Sequence, residues 1–355
     1  MNNNLIKTNI ENLIKKTEKK RKIDLVVKYI FLAIALICTS VIFFIVIFIL
    51  VKGITPFVKI YTETGDDGQI VSFNEKLSSF FTLLIYNSSD HQYGVFYLVI
   101  NTLYATFLSM LISIPVSLLT SLLITRIAIK PLAKVLETGI ELLAGIPSVI
   151  YGLFGMGYVT KVIASFGNSI NYATFGGRSL LAGSIILAIM SIPTMTMMNN
   201  TALKSVDPNL FNASLALGAS KTQTNFKIVI KAALSGIFAG IILGVGRAIG
   251  EATAVQMVIG GAIGGITSNP LDASSTLTSQ MLMGMGEAVV GSLNYDIRFS
   301  SGILLIILIL LLDISLNTVK NKVYQAQTGR VQPSLFTKIK DLITKKSFVK
   351  FSRSK

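Results

Sequence analysis

The sequence predicts an all-α integral membrane protein with six transmembrane helices. Composition, long apolar runs and the placement of basic residues carry the prediction. The chain of 355 residues is 52% hydrophobic and only 14% charged, whereas an ordinary soluble domain carries about 25% charged residues. Its mean hydropathy is +0.67. Six apolar runs reach the ~20 residues that a bilayer demands: 29–51, 95–124, 136–158, 179–198, 232–262 and 300–319. Basic residues concentrate at both ends and in alternate connections, as the positive-inside rule requires of six spans with both termini in the cytoplasm.

Residues 1–28 form a basic arm with Lys15, Lys16, Lys19, Lys20, Arg21 and Lys22, expected in the cytoplasm against anionic lipid. The first span, 29–51, exceeds a signal-peptide core and has no small-residue cleavage site close behind it, so it reads as a retained helix. The connection 52–93 is acidic on balance, which places it outside; its apolar stretch Leu77–Tyr86 suggests a short helix on the outer surface. The second span holds Pro115, the third Pro147 and the fourth Pro193; neighbouring helices in a bundle can satisfy the carbonyls that proline frees. Arg126, Lys130 and Lys134 mark the next inside connection, and Lys204, Lys221, Lys227 and Lys231 mark another. Gly264 to Tyr295 contains no lysine or arginine and reads as outside. Lys161 and Arg178, between the third and fourth spans, are the exceptions to the pattern. Residues 320–355 form a basic tail, with a surface helix expected around Leu335–Phe351.

Several function classes are disfavoured. The net charge of +15 raises nucleic acid as a partner, but no aromatic interleaving or binding motif accompanies the basic tails. A single cysteine, Cys38, and a single histidine, His91, leave no cysteine or histidine metal cluster and no convincing nucleophile–histidine pair. No phosphate-binding Gly-x-x-x-x-Gly-Lys-Ser/Thr loop is present, so no nucleotide cofactor is expected on this chain. No internal repeat supports the inverted architecture of many secondary transporters.

Two stretches stand out. Arg247 and Glu251 are the only ionisable side chains between Lys231 and Asp272, and charges inside a membrane usually face a partner or a pathway. A separation of four places them on one face of a continuous helix. The pair reads either as a structural ion pair or as part of an anion pathway, because the arginine fork suits an oxyanion such as phosphate. Gly244, Gly246 and Gly250 beside them read as helix packing. In the second stretch, Asp207 and Pro208 offer a helix start and Gly218 a helix end. A second helical segment, Lys221 to Ile230, runs into the charged fifth span. Such a helix suits transmission of a push from a cytoplasmic partner; an ordinary amphipathic surface helix is the other reading.

Asn212-Ala-Ser-Leu-Ala-Leu-Gly218, nine residues before Ile228-Val-Ile230, resembles the coupling motif of bacterial ABC importer permeases: Glu-Ala-Ala, three residues, Gly, nine residues, Ile-x-Leu-Pro. It departs at Asn212, Ser214 and Lys231. Further stretches are similar to the phosphate importer permeases of the PstC/PstA family. They are Glu141-Leu-Leu-Ala-Gly-Ile-Pro-Ser-Val-Ile-Tyr-Gly152, Ile189-Met-Ser-Ile-Pro-Thr194, Ala216-Leu-Gly-Ala-Ser220 and Leu243-Gly-Val-Gly-Arg-Ala-Ile-Gly-Glu-Ala-Thr-Ala-Val255. Thr276-Leu-Thr-Ser279 and Gly286-Glu287-Ala288 lean toward the PstC type. The resemblance covers roughly Tyr93 to Leu316.

The resemblance implies a permease core over 94–319 with a coupling helix at about 207–218. Its implied partners are a PstA-type sister permease, two ATPase subunits that use ATP and Mg, and an extracytoplasmic phosphate-binding protein, all at a bacterial cell membrane. It also implies a substrate path at Arg247, with Glu251 holding it in place and tempering its affinity, Glu141 and Ser148 as further polar candidates, and ATPase contact at Asn212, Ala213, Ser214 and Gly218. Pro147 and Ser148 read either as a helix break lining that path or as core packing. Permeases for sulfate or molybdate, an ion-coupled secondary transporter, and a membrane enzyme or scaffold are the alternatives left by the residues alone.

Overall fold

The computed structural model describes residues 2–64, 70–73, 76–87, 92–262 and 264–328. Six of its helices are long and apolar enough to cross a membrane. α1 (Asn2–Val58) runs through the basic arm and the first span without a break. The connection that follows α1 carries two small hairpins and a short helix. β1 (Tyr61–Thr64) pairs antiparallel with β2 (Ile70–Phe73), α2 spans Leu77–Thr82, and β3 (Tyr86–Asn87) pairs with β4 (Gln92–Tyr93). The hairpins are the one strand content that the all-α reading did not include.

α3 (Phe96–Leu122) continues through a π-helical turn to Ile127. Here the expected third span, 136–158, is corrected. α4 (Lys130–Ala144) ends before Gly145-Ile146-Pro147, and the membrane-length helix begins only afterwards. It comprises α5 (Ser148–Phe154), a π-helical turn (Gly155–Val159) and α6 (Thr160–Ser169). Pro147 has no amide donor and holds the residue before it out of the helical region, which breaks the apolar run. α4, with no buried residue, is tied to the end of α7 (Leu180–Lys204) by a 2.6 Å Glu137–Lys204 ion pair.

α8 (Pro208–Ala216) and α9 (Lys221–Thr224) follow, and a π-helical turn (Asn225–Val229) feeds α10 (Ile230–Gly250). The fifth span is therefore Lys221–Gly250, not 232–262. The chain breaks at Glu251-Ala252 and resumes as α11 (Thr253–Ile259). After α12 (Leu277–Leu282), α13 (Leu293–Thr328) provides the last span. The expected helix around Leu335–Phe351 lies outside the described residues.

α7 is the most buried span and the hub, packed against α3, α10, α4 and α11. Its neighbours meet it with small residues. Ser109, Ser113, Ser117 and Ser121 recur every fourth residue on α3, all fully buried, and each donates within its own helix, Ser113 to Met110 Sδ and the others to backbone carbonyls. α10 approaches through Gly236, Gly240 and Gly244, whose added Cβ atoms would meet Ala202, Asn199 and Met195 of α7. Small residues let helix backbones close up where lipid supplies no hydrophobic drive. Gly244 thus packs as expected, whereas Gly246 and Gly250 face open space in this chain. The outward faces are apolar, for example Phe31, Phe43 and Phe44 of α1 and Phe107 and Leu111 of α3, as a hydrocarbon surround requires.

Candidate functional site

Arg247 lies in the last turn of α10 and is half-buried. Its Nη1 donates to Thr194 Oγ1 on α7 at 2.7 Å. The Tyr151 phenol of α5, which donates to Leu143 O at 2.7 Å, lies within electrostatic reach of the guanidinium. Arg247 makes no ion pair with Glu251 or with any other carboxylate among the described residues. The expectation of one shared helix face fails because α10 stops at Gly250 and Glu251 is extended, with ψ of 123°.

Glu251 is used otherwise. Its Oε1 accepts from the Ala254 amide at 3.1 Å, satisfying one of the donors left open at the start of α11. Its backbone carbonyl accepts from Thr278 Oγ1 of α12 at 2.8 Å. The break is therefore held from both sides, and the negative charge sits at a helix N-terminus, where the dipole favours it. α11 packs against α5, the half-helix that begins after Pro147. A Cβ on Gly152 would approach Met257 Sδ to 2.6 Å and Ala254 Cα to 3.0 Å. Two interrupted helices therefore face each other beside Arg247. Ser148, half-buried, opens α5 at the first break; Glu141, near the end of α4, is exposed and makes no ion pair among the described residues.

The coupling-like loop folds as its sequence suggests. Asp207 accepts from the Asn209 amide at 2.9 Å with Pro208 at the first turn of α8. Gly218 takes φ of +85°, a left-handed value that favours glycine. A capping box between Ser220 and Gln223 then starts α9, which runs on into α10. No residue of α8 is buried, and Leu217 beside it is 90% exposed. Asn212, Ala213 and Gly218 are exposed. Ser214 instead meets Thr224 Oγ1 at 2.9 Å, tying α8 to the helix beneath it.

Three polar groupings escaped the sequence reading. Thr194, quoted only as the end of a family-like stretch, partners Arg247 one residue after Pro193. Asp296, 1% exposed, accepts from the Tyr61 hydroxyl at 2.9 Å and pairs with Lys52 at 3.6 Å. Arg298, 5% exposed, donates to Gln280 O at 3.0 Å, to Met283 O and to Asn294 Oδ1, and so caps the end of α12. The run Tyr295-Asp-Ile-Arg298 opening the last apolar stretch was the available signal for both charges.

A bundle of six spans around a small-residue hub, interrupted beside a half-buried arginine and carrying an exposed helix on one face, is that of a multi-pass transporter permease. The chain matches the family described as binding-protein-dependent transport system inner membrane component over residues 99–326. It belongs to that family and is an ABC importer permease subunit. A probable ABC transporter permease protein, YqgH, of Bacillus subtilis is 35% identical over 231 residues, covering 64% of this chain and 73% of the relative. The phosphate transport system permease protein PstC of Xylella fastidiosa is 30% identical over 225 residues, covering 59% of this chain and 69% of the relative. A solved bacterial ABC transporter that imports the acidic polysaccharide alginate shares the fold, with a TM-score of 0.53 at 16% identity, covering 82% of this chain and 96% of that one. The chain is thus a phosphate-permease relative of the PstC kind.

Proposed function

We propose that this chain is the PstC-type permease subunit of an ATP-driven inorganic phosphate importer, with Arg247 in the anion path. The observation that carries the reading is the state of Arg247: held on one side by Thr194, at the meeting of two helix breaks, and without a carboxylate partner among the described residues. A guanidinium in that state keeps planar donors for a passing oxyanion, and a single fixed cation binds it weakly enough for release. The similarity to PstC relatives favours phosphate over sulfate or molybdate. A PstA-type sister permease, two ATPase subunits that use ATP and Mg, and an extracytoplasmic phosphate-binding protein complete the proposed assembly. The exposed α8, through Asn212, Ala213 and Gly218, is the proposed ATPase contact, with both termini and α8 on the cytoplasmic side. Glu141 and Ser148 are proposed to line the path near the Pro147 break.

The test is uptake of radiolabelled phosphate into vesicles holding the complete assembly, with and without ATP. ATP-dependent uptake that Arg247→Ala abolishes, in a complex that still assembles, is the expected result. Undiminished uptake by the assembled variant removes Arg247 from the path; uptake of sulfate or molybdate in place of phosphate discards the substrate and keeps the architecture.

A further inference from the structure

Lys161 and Arg178, the two cations that run against the charge pattern of the sequence, converge on one cavity. It measures about 430 Å³ and is lined by Met156, Thr160, Lys161, Phe175, Gly176 and Arg178. It lies at the end of the bundle opposite α8, since α7 starts beside Arg178 and ends just before α8.

The cavity wall is rigidly built. Phe175 and Arg178 close a two-residue turn, with the Arg178 amide donating to Phe175 O at 3.0 Å. Gly176 and Gly177 between them take φ of +59° and +76°, the mirror-image turn that glycine favours. Gly177 lies so close to the start of α6 that a Cβ would come within 1.8 Å of Thr160 O. The turn is therefore clamped to the helix bearing Lys161, which fixes Arg178 on the other side of the opening. Arg178 Nη2 approaches Met156 Sδ at 3.9 Å. Neither cation forms an ion pair among the described residues. The carboxylate of Asp272, whose main-chain oxygen accepts from Leu180 N at 3.0 Å, takes the Tyr172 hydroxyl.

Two exposed cations, neither ion-paired among the described residues, stand on either side of one opening, with Met156 and Phe175 as apolar wall. We propose that this cavity binds a phosphate group through Lys161 and Arg178, carried either by an outer-leaflet phospholipid headgroup or by free inorganic phosphate. This site is separate from Arg247 and goes beyond the transport reading, because its occupancy is read without ATP.

The experiment uses the assembled permease complex in an Arg247→Ala background, which removes the path arginine as a competing anion site. Native mass spectrometry measures retained phosphatidylglycerol, and equilibrium dialysis after lipid stripping measures binding of radiolabelled inorganic phosphate. The expected result is that one of these ligands binds, that Lys161→Gln and Arg178→Gln each weaken it by about tenfold or more, and that Lys161→Arg retains it. Retained lipid lost in the variants assigns the headgroup; saturable phosphate lost in the variants assigns the free ion. Neither ligand bound, or binding unchanged in both Gln variants, overturns the proposal. Lys161 is exposed, so Lys161→Gln decides the matter even where an Arg178 variant fails to assemble.

Discussion

Asp296→Ala should cost this protein about 3 kcal/mol of stability, most of it through one hydrogen bond. α1 leans chiefly on α13, and the most apolar stretch of its span holds no buried residue. The seam between them is narrow. Gly53 lies where a Cβ would come within 2.7 Å of Phe299 O, Ser300 donates to Gly53 O at 2.7 Å, and Phe48 meets Phe299 edge-on at 5.6 Å. Asp296 closes the end of the seam beside β1, taking the Tyr61 hydroxyl and Lys52 together. Removing one partner of a buried pair costs about 3–5 kcal/mol. Lys52 is 33% exposed and recovers part of its solvation, which moves the cost to the lower end. Tyr61 is 5% exposed and keeps a stranded donor, worth about 1–3 kcal/mol. A cycle of Asp296→Ala, Tyr61→Phe and the double variant should show coupling of about 1.5–3 kcal/mol. The chain has no tryptophan, so unfolding is followed by far-UV circular dichroism during SDS titration of mixed micelles. Coupling below about 0.5 kcal/mol, within ordinary additivity, would refute the assignment of the seam to this contact.

The same tyrosine gives a pH signature. Burial, then the Asp296 hydrogen bond, holds the Tyr61 phenol above its ordinary value. The unfolded chain therefore releases that proton first, so the stabilisation is complete below pH ~10 and is lost as pH rises beyond it; Tyr61→Phe should flatten this alkaline limb in a pH series of the same titration. Along α10, Gly236→Ala should destabilise more than Gly244→Ala. The first places a Cβ 2.5 Å from the Cβ of Ala202, which cannot move without its backbone, and the second meets the flexible end of Met195 at 2.6 Å. Overpacking of this kind costs about 1–3 kcal/mol; equal costs for the two glycines would count against α7 and α10 meeting through this seam.

What was legible in the sequence was whatever local chemistry decides. Apolar length located six spans, and Asp207, Pro208 and Gly218 bracketed α8 because a cap, a first-turn proline and a left-handed glycine each act within a few residues. The failures share a cause. The runs 136–158 and 232–262 were continuous by hydropathy, but Pro147 and the Gly250–Ala252 segment break the backbone inside them. Hydropathy counts apolar residues and does not register a dihedral angle. Spacing of four brought Arg247 and Glu251 together on paper, and that inference holds only for an unbroken helix. Asp296 lies far along the chain from Lys52 and Tyr61, so no local pattern could have joined it to them.

The break at Glu251 also changes what the glutamate is for. If its charge tempered Arg247, Glu251→Gln and Glu251→Ala would impair transport alike, since both remove the charge. The structure assigns its Oε1 to the Ala254 amide, and a glutamine oxygen can accept the same bond. Glu251→Ala leaves that amide open and frays α11, at about 0.5–2 kcal/mol for a lost cap. Fraying matters here because α11 packs against α5, whose Tyr151 stands within reach of Arg247. Glu251→Gln should therefore retain ATP-dependent uptake far better than Glu251→Ala, and Glu251→Ala should loosen α11 in hydrogen exchange. Equal loss of transport in the two variants, with α11 protected in both, would return the charge to the mechanism and make Glu251 a partner of the arginine during transport.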